Sequence, residues 1–228
     1  MTIPVQRILK LLDIETTSAQ IEQLLQYVSL LQRYNQKLNL ISRKDIQNIW
    51  ENHIYPSLLV NNFVDLPLGV AVADLGSGGG LPGIPLKIIR PDLNLVLIDS
   101  SLKKTAFLRQ VIHILDIQSA SVMQVRVHPR KEVDLLDHQF EAVLARAVAG
   151  FQELWSLAKP LLKRGGFLLA WKGESDLAEL PAESAKMAVD YQVQRIPESL
   201  WQYSEKLRQL CYVKVWSDLS STELNVTE

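Results

Sequence analysis

The 228-residue chain has a single cysteine, Cys211, which excludes an intramolecular disulfide and any zinc site built from several thiolates. Its four histidines, His53, His113, His128 and His138, form no HxH or HxxxH pair, so no metal site is expected. Charge of one sign is lacking too. The 24 basic and 25 acidic side chains leave a net charge of −1, unlike a polyanion binder driven by a basic tail. No apolar run reaches the ~18 residues of a membrane span. Arg7 and Lys10 interrupt the opening stretch Met1 to Leu12, which therefore lacks the apolar stretch of a signal peptide. The expectation is a soluble, cytoplasmic protein without membrane contact. Hydrophobic residues make up 47 % of the chain and charged residues 21 %, which is globular composition and excludes extensive disorder. The length suits one domain, or one domain with an appendage.

The balanced charge hides a gradient. Residues 1–83 carry 6 basic and 7 acidic side chains, residues 84–172 carry 13 and 8, and residues 173–228 carry 5 and 10. A basic middle between acidic ends is consistent with a focused anion-binding face, and equally with chance.

Hydrophobic spacing places a helix over Ser18 to Gln36, with Ile21, Leu24, Leu25, Val28 and Leu31 on one face and Ser18 as N-cap. Further helical pieces are read at Asp45 to Trp50 and, led by Pro56, at Ser57 to Phe63. Leu66-Pro67-Leu68-Gly69 breaks the pattern. Short apolar runs then alternate with helical stretches. Strands are read at Val70–Ala73, Leu93–Ile98, Ser121–Val125, Ala142–Ala145 and Phe167–Trp171, and helices at Leu81–Arg90, Ser101–Leu115 and Phe151–Lys163. Such alternation indicates parallel βαβ units in an open, doubly wound sheet. A helix at Leu177–Ala188 precedes two late strands, Tyr191–Ile196 and Cys211–Trp216, which suit a terminal antiparallel hairpin. The division implied is an N-terminal helical extension, residues 1–65, packed on a sheet domain, residues 66–228.

The most informative stretch is Asp74-Leu75-Gly76-Ser77-Gly78-Gly79-Gly80-Leu81-Pro82-Gly83, which leaves the first strand and opens a helix. Ligands in such sheets bind at the carboxyl ends of the strands, where glycines let the backbone turn sharply and approach a ligand. A P-loop would need Gly-Lys-Ser/Thr, which is missing. A dinucleotide fingerprint fits only as Gly78, Gly80 and Gly83, four residues past the strand and with Pro82 inside the turn. The S-adenosylmethionine loop, Asp/Glu-x-Gly-x-Gly-x-Gly, fits Asp74, Gly76, Gly78 and Gly80 without a gap, and a carboxylate there suits an ammonium rather than a pyrophosphate. The competing reading is a turn without a ligand. Asp99, 25 positions beyond Asp74, stands where an acid accepts hydrogen bonds from ribose hydroxyls, or else it starts the next helix with Ser100 and Ser101.

Three blocks resemble a known family. They are Leu31-Gln32-Arg33-Tyr34-Asn35-Gln36-Lys37-Leu38-Asn39-Leu40-Ile41 with His53; DLGSGGGLPGIPL at Asp74–Leu86 with Ile98-Asp99-Ser100, Lys103-Lys104 and Phe107-Leu108; and Arg146-Ala147-Val148-Ala149 with Gly165-Gly166 and Lys172-Gly173. Together they resemble the bacterial ribosomal RNA small subunit methyltransferase G family, also called glucose-inhibited division protein B, over about residues 25–175. The resemblance implies a class I S-adenosylmethionine-dependent methyltransferase: a Rossmann-like, mostly parallel seven-stranded sheet ending in an antiparallel hairpin. It implies methylation of guanine N7 in the 530 loop of 16S ribosomal RNA by a cytoplasmic protein, read as a monomer, with cofactor contacts at Gly76, Leu81, Val127, His128 and Arg146. Asp74, Gly78 and Asp99 complete the expected cofactor set. The chain departs from the family pattern at His128, where an acid is usual, and at Pro56, where Asp is usual.

Guanine N7 already presents a lone pair, so its methylation needs alignment and desolvation rather than a general base, and no catalytic residue is expected. The Asn/Asp-Pro-Pro-aromatic segment of amino-methylating enzymes is replaced by Ala145-Arg146-Ala147-Val148, and Cys211 reads as a buried small hydrophobe rather than a nucleophile. Arg146 would hold the methionine carboxylate or an RNA phosphate, against the blander reading of a surface salt bridge. Lys103, Lys104 and Arg109 scatter over a solvated helix face, while Lys163, Arg164 and Lys172 are candidates for the RNA backbone. Two other functions share these features. One is a methyltransferase of the same fold acting on a small molecule or protein. The other is a non-catalytic nucleotide-sensing regulator.

Overall fold

The computed structural model describes residues 5–128, 138–146, 150–203 and 205–216. The chain opens with helices α1 (Val5–Leu11) and α2 (Ser18–Leu38), then a 3-10 turn (Ile46–Asn48), a π-helical turn (Trp50–Ile54) and short helices α3 (Tyr55–Leu58) and α4 (Val60–Phe63). Then follow β1 (Ala71–Leu75), α5 (Gly83–Ile89), β2 (Asn94–Asp99), α6 (Leu102–Ile114), β3 (Ala120–Gln124), β4 (Phe140–Arg146), α7 (Phe151–Ala158), β5 (Leu162–Gly173), α8 (Leu180–Met187), β6 (Asp190–Arg195) and β7 (Leu210–Trp216). The sheet order is β3-β2-β1-β4-β5-β7-β6; the first five strands pair in parallel and β7 is antiparallel to both β5 and β6. The order reverses at β1/β4, the switch point where such sheets bind ligands.

Strand residues alternate between two cores because successive side chains point to opposite faces. Ala142, Leu144, Leu169, Trp171 and Tyr212 pack with α2, α5 and α6. Val143, Ala145, Leu168, Ala170 and Val213 pack with α7 and α8. The first core also contains Val5, Leu24, Ile54 and Leu58, so the N-terminal helices are continuous with the interior of the sheet domain. Polar contacts fix their pose. Gln20 Nε2 donates to the carbonyl of Ile88 at 2.8 Å, and Gln23 Nε2 to that of Leu115 at 2.8 Å. Pro56, in the first turn of α3, offers its carbonyl to the Tyr212 hydroxyl (2.7 Å) and to Trp171 Nε1 (3.4 Å). The departure at Pro56 therefore sits where a main-chain acceptor anchors the helices to β5 and β7.

Several expectations are corrected. The N-cap of α2 is Thr17, not Ser18: Thr17 and Gln20 form a reciprocal capping box. Leu25 is 48 % exposed, and Tyr27, three residues past Leu24 and four before Leu31, takes the inward position. The region 45–63 is broken into four short turns. The expected helix to Lys163 ends at Ala158, because Pro160 lacks the N–H a helix needs, and β5 starts at Leu162 opposite Phe140. Ala147, Val148, Ala149 and Met1 to Pro4 lie outside the described residues. Among those described, no helix is long and apolar enough to cross a membrane.

Lys87 is buried on α5 and donates through Nζ to the carbonyls of Pro91 and Leu93, closing the turn into β2. Lys87→Met keeps the buried stem but leaves both acceptors unsatisfied. We expect a loss of about 1–3 kcal/mol, read as a lower urea midpoint at unchanged slope.

Candidate active site

The turn after β1 is held against the end of β2. The Gly76 and Ser77 amides donate to the carbonyl of Ile98 at 2.8 and 3.0 Å, and the Ser77 hydroxyl donates to that of Asp74 at 2.6 Å. Gly78 adopts φ 55° and Gly80 φ 92°, both in the left-handed region. At Gly78 the restriction is conformational, since an added Cβ would meet nothing nearer than 3.8 Å. At Gly80 it is also steric, with Ile84 at 2.7 Å.

Asp99 closes the far side. Its Oδ2 accepts from the Gly78 amide at 2.9 Å and its Oδ1 from the Ser101 amide at 2.8 Å, while Ser101 caps α6. Beside it opens a cleft of about 500 Å³, within the range of small-molecule sites. Gly76, Asp99, Val127 and His128 line it, joined by Arg126 and, from α7, by Glu153 and Leu157. Four of the expected cofactor residues thus meet. Gly78 lies behind Asp99, and Leu81 is buried in the core shared with α2 and α6.

Asp74 has no solvent exposure. Its Oδ2 accepts from the Gly83 amide at 2.9 Å, and its Oδ1 has no hydrogen-bond partner. Burial pushes its carboxyl up to about 7; the Gly83 amide opposes the shift, the neighbouring Asp99 reinforces it, and Arg146 again opposes it. An orphaned, buried carboxylate oxygen under a glycine turn is what the ammonium of an amino-acid ligand would satisfy.

Arg146, at the end of β4, donates to the carbonyls of Asn52 (2.8 Å) and His53 (3.5 Å) in the π-helical turn. It makes no salt bridge among the described residues, so the surface ion-pair reading is overturned: burial dominates its environment and lowers its pKa. Lys163 pairs with Glu141, and Lys172 lies 4.9 Å over the Phe151 ring, so both are engaged within the fold. Cys211 is buried on β7 with its thiol pushed up to about 11 by desolvation, which disfavours a nucleophilic thiolate.

Two contributors were not read from the sequence. The Tyr27 hydroxyl donates to the Gly79 carbonyl at 2.8 Å, a contact across 52 positions that no local pattern signals. Glu153 could have been found, since it stands in the first turn of the helix after β4, on the ligand-binding edge of the sheet.

The family model for rRNA small subunit methyltransferase G matches residues 20–210. The chain belongs to that family. It is 43 % identical over 161 residues to a ribosomal RNA small subunit methyltransferase G of Chlorobium phaeobacteroides, covering 71 % of this chain and 70 % of that protein. It is 42 % identical over 173 residues to the protein of that name from Halorhodospira halophila, covering 75 % and 79 %. The fold is shared with a SAM-dependent methyltransferase structure from Aquifex aeolicus: TM-score 0.56 at 12 % identity, over 74 % of this chain and 91 % of that one. As a member of the methyltransferase G family, the chain is an S-adenosylmethionine-dependent methyltransferase of class I fold, and the turn and buried carboxylate fit that cofactor.

Two substitutions test the turn. Gly78→Val should abolish S-adenosylmethionine binding in calorimetry while the protein stays folded by circular dichroism, because a β-branched residue resists positive φ. Tyr27→Phe, which frees one buried carbonyl, should weaken cofactor binding about 3–10-fold, equivalent to the ~1 kcal/mol of one hydrogen bond.

Proposed function

We propose that this chain methylates N7 of a guanine in the 530 loop of 16S ribosomal RNA, acting in the cytoplasm as a monomer on free RNA or the small ribosomal subunit. Residues 1–65 are read as an extension of the catalytic domain, residues 66–228. The observation that carries the reading is the site's chemistry within this family: a cofactor cleft bordered by apolar walls, with its lone thiol buried away on β7.

When bound, S-adenosylmethionine supplies an electrophilic methyl on a cationic sulfur. Asp74 Oδ1 would receive the cofactor's ammonium and Asp99 the ribose hydroxyls. Gly76, Gly78 and Leu81 would shape the turn around the methionine end. Val127 and His128 would border the adenine, by backbone or side chain. Arg146 would turn its remaining donors to the methionine carboxylate while keeping the π-helical turn in place. The protein's work is then alignment and exclusion of water.

A nuclease-digest mass spectrum of 16S RNA, treated with the enzyme and cofactor, should show one new 7-methylguanosine in the 530 loop; a methyl group on another base would overturn the assignment. At saturating cofactor the single-turnover rate should be flat across about pH 6–8.5, since no proton is removed before transfer.

Cofactor affinity should behave differently. Burial lifts the Asp74 carboxyl from the ordinary 3.8 of an aspartate to about 7 in the folded chain. Its ionised form is the one that holds an ammonium, so affinity should rise as pH passes through 7, with proton release detectable by calorimetry in two buffers. For the cofactor-free fold the sign is opposite. The folded state binds the proton more tightly, so stability falls as pH rises between 3.8 and about 7, and Asp74→Asn should remove that slope.

A further inference from the structure

A second concavity, of about 1000 Å³, opens between the carboxyl end of α2 and the loop that follows it. Its chemistry differs from that of the cofactor cleft. Gln32, Asn35, Gln36 and Gln47 bring amides, Lys37 and Arg43 bring cations, and no carboxylate lines it. Between residues 32 and 83 the chain has four basic residues, Arg33, Lys37, Arg43 and Lys44; all fall within twelve positions and all are exposed. None takes part in a salt bridge among the described residues. The acid nearest in sequence, Asp45, is turned to Ser42 and Asn52, which donate to its two oxygens at 2.8 and 2.9 Å.

The wall of this groove is fixed in place. Asn35 receives the Ile41 amide at 2.8 Å and donates back to the Ile41 carbonyl at 3.0 Å, and Asn39 ends α2 in the left-handed conformation. The same segment reaches the cofactor turn: a Cβ on Gly79 would lie 3.0 Å from Leu31 and 3.5 Å from Leu40. The segment that carries the groove thus packs against the glycine turn at the carboxyl end of β1.

We propose that this groove binds the single-stranded RNA that flanks the methylated nucleotide, with Lys37 and Arg43 on phosphates and the amides of Gln32, Gln36 and Gln47 on base edges. The proposal rests on the reading of RNA as the substrate. Tyr34, the aromatic side chain of this stretch, faces Phe107 at 5.2 Å between ring centroids and leaves the groove without a stacking platform. Recognition thus falls to charge and hydrogen bonds, and binding should be strongly salt-dependent.

The test uses the full chain with cofactor and a single-stranded 16S RNA fragment spanning the target guanine. Lys37→Ala/Arg43→Ala should weaken RNA binding at least tenfold near 0.1 M salt. It should flatten the log–log salt slope by about 1.4, at ~0.7 per phosphate contact on single strands. KM for RNA should rise while kcat and cofactor affinity hold. Lys159→Ala/Lys186→Ala, which removes two exposed cations, one just past α7 and one on α8, should have a much smaller effect. If the groove variant binds RNA as the unaltered chain does, or if both variants lose affinity equally, the groove is not the site. If the unaltered chain with cofactor neither binds nor methylates the fragment or intact 16S RNA, the substrate reading itself fails, and the groove proposal fails with it.

Discussion

A carboxylate with no solvent exposure at the end of the central strand constrains everything around it. Burying an ionised group without full pairing is costly, and Asp74 holds one hydrogen bond, from Gly83, where four lone-pair sites exist. That single bond requires a bare backbone: a Cβ on Gly83 would lie 2.7 Å from the accepting oxygen. The glycine turn, the start of α5 and the approach of Asp99 all follow from accommodating this group. Burial raises its titration to about 7; the Gly83 amide works against that rise, and the smaller pulls of Asp99 towards protonation and Arg146 towards ionisation oppose each other. An enzyme whose cofactor carries an ammonium can use such a group as a receptor: the empty fold bears the desolvation cost, and a bound ammonium would offset it.

The N-terminal helices belong to this same arrangement. Tyr27 reaches the glycine turn and Arg146 reaches back to the carbonyls of Asn52 and His53. Trp171 and Tyr212 fix Pro56 from below. A contact network crossing so often between residues 5–63 and the sheet, with one hydrophobic core common to both, makes the helices a support for the glycine turn and for the end of β4.

The sheet, its parallel order and its closing hairpin were legible because short apolar runs separated by helical spacing leave few topologies open. The glycine turn and Asp99 were legible for the same reason, since their spacing to a strand end is set by local geometry. The region 45–63 was not. A 3-10 turn, a π turn and two four-residue helices carry no sustained period, and their form is decided by what Arg146, Trp171 and Tyr212 demand of their carbonyls. Arg146 was legible as the residue that ends β4 but not in its contacts, because its partners lie more than ninety positions away. The basic groove is hidden in the sequence, because the seven acids spread over residues 1–83 outnumber the four cations clustered at residues 33–44 and the two near the N-terminus.

The net charge of −1 therefore describes two opposed local fields rather than a neutral surface. Asp99 and Glu153 line the cleft together with Arg126, and Asp74 is buried within electrostatic reach of Asp99; on the proposed reading a cationic cofactor would sit there. Lys37 and Arg43 stand in the groove on the α2 side, where a polyanion is proposed to lie. The two fields differ in exposure, and this separates their response to salt. Exposed cations are screened within a Debye length of ~10 Å at 0.1 M, whereas a buried carboxylate is screened far less. On the proposed reading, methyl transfer moves positive charge from sulfur to a purine ring without creating any. The walls formed by Leu75, Ile98, Val125 and Leu157 would then favour the dispersed charge of the transition state over the compact charge of the cofactor. Polar groups that could stabilise the starting sulfonium would work against that preference, so the proposed reading would set Asp74 at the ammonium, Asp99 at the ribose and the apolar side chains around the sulfur, with Arg126, His128 and Glu153 on the remainder of the rim.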